Sequence, residues 1–177
     1  MKGTIKLLSL ILAFILYGFY MVQGGDMKRE STIWSEQPCT SQNVYFYLKK
    51  LNVKNIRVVF AQAMLESNEL RSDLAVKSNN LFGMRIPGKR PTTAVGKRKG
   101  YAQFTNWTSS VDDYKIYQDS AFGKEMSDYQ YMTRLKKYAT DPDYVLKLQK
   151  FTRKYDTAIM RYEMEYRTQY GQELATK

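Results

Sequence analysis

Apolar residues recur at helical spacing in several separate stretches of this chain, and the pattern breaks once, between residues 83 and 100. Val44, Tyr47, Leu48 and Leu51 share one face of a helix that Thr40 or Ser41 can cap and that ends near Leu51. Ile56, Val59, Phe60, Ala63 and Met64 repeat at i, i+3, i+4, i+7 and i+8, which predicts a second helix from about Asn55 to Ser67. The break, "GMRIPGKRPTTAVGKRKG", holds four glycines and two prolines and fits no helix. Short strands around a hairpin fit it better, with "TTAV" and "YAQF" as the arms. Helical spacing resumes at "SSVDDYKIYQ", where Ser109 or Ser110 can cap and Asp112 and Asp113 suit a first turn. A further helix is expected from about Lys124 to Tyr138. In "ATDPDYVLKLQKFTRKYD", Asp141 as cap and Pro142 at the first helical position mark another start. Val145, Leu148, Phe151 or Thr152, and Tyr155 line its inner face, and residues 159–177 are expected to continue as a helical tail. The whole reads as a mainly α (α+β) domain with one small β-hairpin inserted after the second or third helix.

The N-terminus departs from this amphipathic pattern. Lys2 and Lys6 precede "LLSLILAFILYGFYMV", and "QGGD" follows. A basic start, an apolar run and small residues near Gly24 predict a secretory signal peptide over residues 1–25, with an uncleaved signal-anchor as the alternative. Residues 26–40 read as a linker, 41–158 as the domain and 159–177 as its tail. The expected destination is outside the cytoplasm: the periplasm, the cell surface or the medium. The membrane is then met only through an uncleaved N-terminal segment.

Charge and chemistry narrow the picture further. The formal net charge is +11 over 177 residues, which calls for an acidic or polyanionic neighbour. Export turns that neighbour away from nucleic acid and toward cell-wall polymers. The chain has no histidine and one cysteine, Cys39, which removes Ser-His and Cys-His catalysis, thiolate clusters, the usual zinc sites and intrachain disulfides. Hydrolytic chemistry must then rest on carboxylates, tyrosines or a bound metal, and no metal or cofactor is expected. A monomer is expected.

Glu66 is the carboxylate in the most telling position. At about 100° per residue it projects within roughly 20° of Val59, at the border of the apolar stripe of the second helix. Half-desolvated there, it would keep its proton to a higher pH than a surface glutamate. The competing reading is a surface glutamate at a helix end.

The ordered blocks "AQAMLES", "NNLFGMR" and "YATDPDYVLKL", spaced around the hairpin segment, resemble the endo-β-N-acetylglucosaminidase domain of glycoside hydrolase family 73 over about Val44 to Asp156. The resemblance implies a lysozyme-like fold, with a helical lobe, a small β-hairpin lobe and a cleft between them. It implies hydrolysis of peptidoglycan glycan strands on the reducing side of N-acetylglucosamine. Glu66 then matches the general acid, and Tyr138 matches a tyrosine that faces it. Asn79, Asn80 and Phe82 match the block that lines the cleft floor. Sugar rings stack on flat side chains, so Phe104, Trp107 and Tyr114, which follow the hairpin, are expected to bind substrate as well.

One departure stands out. Many members carry a second glutamate in the hairpin lobe, whereas "RPTTAVGKRKGYAQF" contains no acid. A two-carboxylate mechanism therefore gives way to three alternatives: attack by the substrate's own N-acetyl group, attack by a water held by Tyr138, or weak turnover. A muramidase of the lysozyme or lytic transglycosylase kind, and a wall-binding module without turnover, are the rival functions.

Overall fold

The computed structural model describes residues 33–124 and 126–174. The signal segment and residues 26–32 of the linker lie outside them. Among the described residues no helix is long and apolar enough to cross a membrane. The chain divides after Gln37 into two units. Of the first, the described part is one turn, in which Gln37 N–H donates to the Trp34 carbonyl at 3.1 Å. The second, from Pro38 on, carries every element below.

Its order is α1 (Ser41–Lys50), α2 (Ile56–Glu66), α3 (Asp73–Ser78), β1 (Gly96–Arg98), β2 (Tyr101–Gln103), α4 (Trp107–Phe122), α5 (Asp128–Leu135) and α6 (Tyr144–Leu174). This is the expected architecture, mostly helical with a two-stranded antiparallel sheet. Helix α2 is the spine. Every residue from Val58 to Met64 is buried, so it is wrapped on all sides and does not show the single inner face that the spacing predicts. Helix α1 is similar, buried from Val44 to Leu48, while Leu51 is only half-buried. Thr40 makes its cap, accepting from Asn43 N–H at 3.1 Å.

Helix α6 packs against both. Its buried side chains are Tyr144, Leu148, Thr152, Ile159, Tyr162 and Tyr166. Thr152 rather than Phe151 therefore faces inward, and its hydroxyl is satisfied by the Leu148 carbonyl at 2.9 Å. The helix runs without a break past residue 158, where Tyr162 and Tyr166 meet Phe46 edge to face. Asp141 does not cap it directly. Asp141 accepts from Asp143 N–H at 2.9 Å, which closes a turn at Pro142 and Asp143 and delays the helix to Tyr144.

Three other boundaries differ from expectation. Asn106, not Ser109 or Ser110, caps α4 by accepting from Ser109 N–H, so Asp112 and Asp113 fall in the second turn. Helix α5 begins only at Asp128, behind a reciprocal cap between Ser127 and Gln130, and stops at Leu135, which leaves Tyr138 in the following turn. The first hairpin arm is Gly96–Arg98 and not "TTAV". Thr93 N–H donates to Asp113 and its hydroxyl to the Ser109 carbonyl, so α4 holds Thr93 out of the ladder, while Val95 N–H reaches the Gln103 carbonyl at the edge of the hairpin. Lys99 and Gly100, at φ 49° and 85°, make the tight turn between the strands, both left-handed as a two-residue hairpin loop requires. Lys97 pairs with Ala102.

Candidate active site

The cleft lies where the end of α2, the segment after α3, the hairpin and the α5–α6 turn meet. It encloses about 530 Å³ and is lined by Glu66, Leu74, Gly83, Arg85, Tyr101, Tyr138, Ala139 and Thr140. Two of the residues expected from sequence, Glu66 and Tyr138, are brought together in it.

Glu66 is the last residue of α2, and the backbone after it is unusual. Asn68, Glu69 and Leu70 all adopt positive φ, at 49°, 56° and 68°, a conformation that costs a non-glycine residue roughly 1–2 kcal/mol. The buried Ser67 holds this turn: its hydroxyl accepts from Leu70 N–H at 2.8 Å, and its carbonyl accepts from Arg71 and Ser72. Glu69, paired with Lys154, ties the turn to α6. The helix is thus stopped abruptly, with its terminal carboxyl directed into the cleft. Burial raises the pKa of that carboxyl, while the Tyr144 phenol beside it pulls the other way. Gly83, at φ 64°, makes the close approach possible. A Cβ there would stand 3.3 Å from Glu66 Oε2.

Tyr138 donates its hydroxyl to the Phe82 carbonyl at 2.7 Å, which fixes the backbone just before Gly83. Burial, and then the charge of Glu66, raise its phenol well above the ordinary tyrosine value. It stays a neutral hydrogen-bonding group at any working pH.

The other expected binding residues support the cleft and do not face it. Asn79 Nδ2 donates to the Phe104 and Thr105 carbonyls. Asn80, fully buried, donates to the Met84 and Ala102 carbonyls and accepts from Met84 N–H. These two side chains latch the hairpin onto the α3 end, and their amides are already occupied. Phe82, Phe104, Trp107 and Tyr114 are buried core rings. Phe82 stacks on Tyr114 with centroids 4.1 Å apart, and Trp107 meets Tyr47 edge to face. Their placement as sugar contacts is corrected on that ground.

Asp112 and Asp113 also have structural partners. Tyr47 donates to Asp112 at 2.8 Å. Asp113, fully buried, receives both arms of the Arg90 guanidinium. Of the two, Asp113 is far from the first-turn role that the sequence predicts.

Behind Glu66 lies a buried polar chain that the sequence pattern does not predict. Gln118 Nε2 donates to Tyr131 Oη at 2.9 Å. Tyr114 gives its proton to Gln62 Oε1 at 2.5 Å, so the 2.9 Å contact between the two phenols must run from Tyr131 to Tyr114. Every donor therefore points toward Gln62, one turn before Glu66 on α2. Beyond it, Gln62 Nε2 and Tyr144 Oη are buried without a completed hydrogen bond, and Tyr144 is the phenol that acts on the Glu66 carboxyl. The signal in the sequence was a glutamine inside an otherwise apolar run, four residues before the acid.

Comparison with known proteins adds the following. Residues 42–157 match the Glucosaminidase family, described as mannosyl-glycoprotein endo-beta-N-acetylglucosaminidase. Protein bax of Escherichia coli is 40% identical over 67 residues, which is 38% of this chain and 24% of that one. Exo-glucosaminidase LytG of Bacillus subtilis is 29% identical over 122 residues, which is 56% of this chain and 43% of that one. The chain thus spans less than half the length of these curated relatives. The catalytic domain of the autolysin Auto from Listeria monocytogenes superposes with a TM-score of 0.46 at 23% identity, over 77% of this chain and 96% of that one.

Proposed function

The chain belongs to the glucosaminidase family of glycoside hydrolases, and on that premise we propose that it is an exported peptidoglycan hydrolase. It cuts the glycan strand at β-1,4 bonds on the reducing side of N-acetylglucosamine, with Glu66 as general acid. The observation that carries this reading is the half-buried carboxyl at the end of α2, its pKa raised by burial, on the wall of an open cleft. A glycosidic oxygen is a poor leaving group and must be protonated as its bond to C1 breaks. A carboxyl that keeps its proton near neutral pH can supply it.

The positive charge left at C1 needs a partner, and Glu66 is the sole carboxylate among the residues that line the cleft. The acetamido oxygen of the same sugar can attack C1 from the opposite face. Water then opens the cyclic intermediate, and its proton returns to Glu66. Tyr138 suits this route. Its proton is committed to the Phe82 carbonyl, so its oxygen is left to accept from the acetamido N–H, or from a water that attacks directly. Support for the wall polymer as substrate comes from the family and from the net charge of +11.

Digestion of purified peptidoglycan, with identification of the new reducing sugar, tests the proposal. Reducing N-acetylglucosamine ends are expected. Reducing or anhydro muramic ends would replace the proposal with a muramidase or lytic transglycosylase. Binding without new ends would replace it with a wall-binding module. A ladder of fragments marks an endo cut, and one small product an exo cut.

A further inference from the structure

The cations of the hairpin region divide by whether the protein itself neutralises them. Arg90 is held by the buried Asp113. Arg98 and Lys99 both reach Asp73 at the start of α3. Arg85 has no carboxylate partner among the described residues, and it lines the cleft with Glu66, whereas Lys89 and Lys97 do not. Its guanidinium lies over the Tyr101 ring, 5.4 Å from the centroid, and Tyr101 lines the same cleft. Stacking of this kind fixes the plane of the guanidinium and leaves its edge free to meet an acceptor.

With Glu66 protonated, Arg85 is the one formal charge on the cleft wall. A charge on the wall of a cleft raises the local concentration of oppositely charged groups that enter. A neutral sugar polymer gives it nothing to pair with, and a carboxylate matches its two-pronged geometry.

Building on the glycosidase reading, we infer that Arg85, oriented by Tyr101, is a specificity residue that binds a carboxylate carried by the glycan beside the scissile bond. Two sources share that chemistry: the lactyl ether of an unsubstituted muramic acid, and the acids of a stem peptide. Arg85 acts on binding and takes no part in proton transfer.

The test measures kcat and KM for the full chain and for Arg85→Gln on three substrates: a neutral N-acetylglucosamine oligomer, glycan strands stripped of peptide so that the lactyl carboxylate is free, and strands that keep their stems. The wild type should favour at least one acidic substrate over the neutral one. In Arg85→Gln that preference should fall about tenfold, mainly through KM, as loss of one charge-assisted pair implies. Whichever acidic arm falls identifies the source. Arg85→Lys should recover part of the preference, which also shows that the position tolerates substitution. A wild type that cleaves the substrates without regard to charge overturns the inference, as does an Arg85→Gln variant with the ratio unchanged or with all substrates depressed equally. A wild type that cleaves none of the three refutes the glycosidase reading as well, so the two failures are distinguishable.

Discussion

Replacing Glu66 with Gln tests two consequences of one physical fact, the desolvation of a carboxyl at the end of α2. The amide keeps the size of the side chain, but it has no acidic proton to transfer. Turnover should fall by about 10²–10⁴, the usual worth of general acid catalysis.

The second consequence concerns stability and has the opposite sign. Burial raises the carboxyl of Glu66 in the folded state, so over a range of pH the folded protein holds a proton that the unfolded chain has released. The contribution of Glu66 to stability is then complete below the ordinary glutamate value, and is lost as pH rises through the raised one. Each unit of elevation costs the wild type about 1.4 kcal/mol above that window. For a chain of this size each kcal/mol moves Tm by roughly 2–4 °C. The glutamine variant has no such titration. Its Tm should match the wild type at acid pH and exceed it at mildly alkaline pH. Thermal unfolding at both ends of the range, with reducing-end release from peptidoglycan, measures both effects. Half the activity retained would refute Glu66 as the acid. A Tm deficit that grows with pH would show that the carboxylate is stabilised by a partner, which would refute the desolvation argument.

Tyr144→Phe removes the group that opposes burial at Glu66, so the alkaline limb of kcat against pH should move to higher pH; a limb that stays put means the phenol does not act on the acid. Tyr138→Phe leaves the Phe82 carbonyl without its donor and removes the oxygen proposed to accept from the substrate. Loss of about 1–3 kcal/mol predicts a tenfold or greater drop in kcat on peptidoglycan with the fold retained, and near-wild-type turnover would exclude Tyr138 from the site. Asp113→Asn breaks one side of a buried ion pair and should cost about 3–5 kcal/mol in denaturant unfolding. Asp112→Asn should cost about 1 kcal/mol or less, because burial already raises that carboxyl, and turnover per folded molecule should be close to wild type in both.

Glu66 was legible because helical periodicity reaches the end of α2 and places it against a known apolar stripe. The same periodicity missed the shape of α2, since a helix buried on every side carries no polar face to show its orientation. The caps at Asn106 and Ser127 are hidden in the sequence because Ser, Asn and Asp are plentiful near both starts, and only tertiary packing selects among them. Position after the hairpin and the stacking of sugars on flat rings point to Phe104, Trp107 and Tyr114 as platforms. Which ring meets a cleft and which meets another ring is decided by packing across distant segments, as between Phe82 and Tyr114. Tyr101, a cleft ring, sits in the same stretch and carried no local mark to distinguish it from Phe104. The Asn79-Asn80 pair was seen to matter, but its job, holding backbone 22 to 26 residues away, involves partners that no local pattern names.

Those partners explain how so small a sheet can form a cleft wall. A two-stranded hairpin is marginal alone, and this one has three residues in each arm. Three separate anchors compensate. Asn80 grips the Ala102 carbonyl in β2, Asp73 draws in Arg98 and Lys99 at the turn, and Asp113 clamps Arg90 and Thr93 in the approach. The anchors come from the α3–β1 segment, α3 and α4, and so the hairpin is fixed to the helical lobe at its root, its tip and its entry. Arg85 and Tyr101 are carried on this fixed frame, opposite a carboxyl fixed by the left-handed turn after α2. A cleft built in this way carries its carboxyl and its cation on separately anchored elements. The carboxylates that anchor the hairpin, Asp73 of α3 and Asp113 of α4, are committed to its cations, so Arg85 is the cleft-lining cation to which the described residues supply no carboxylate.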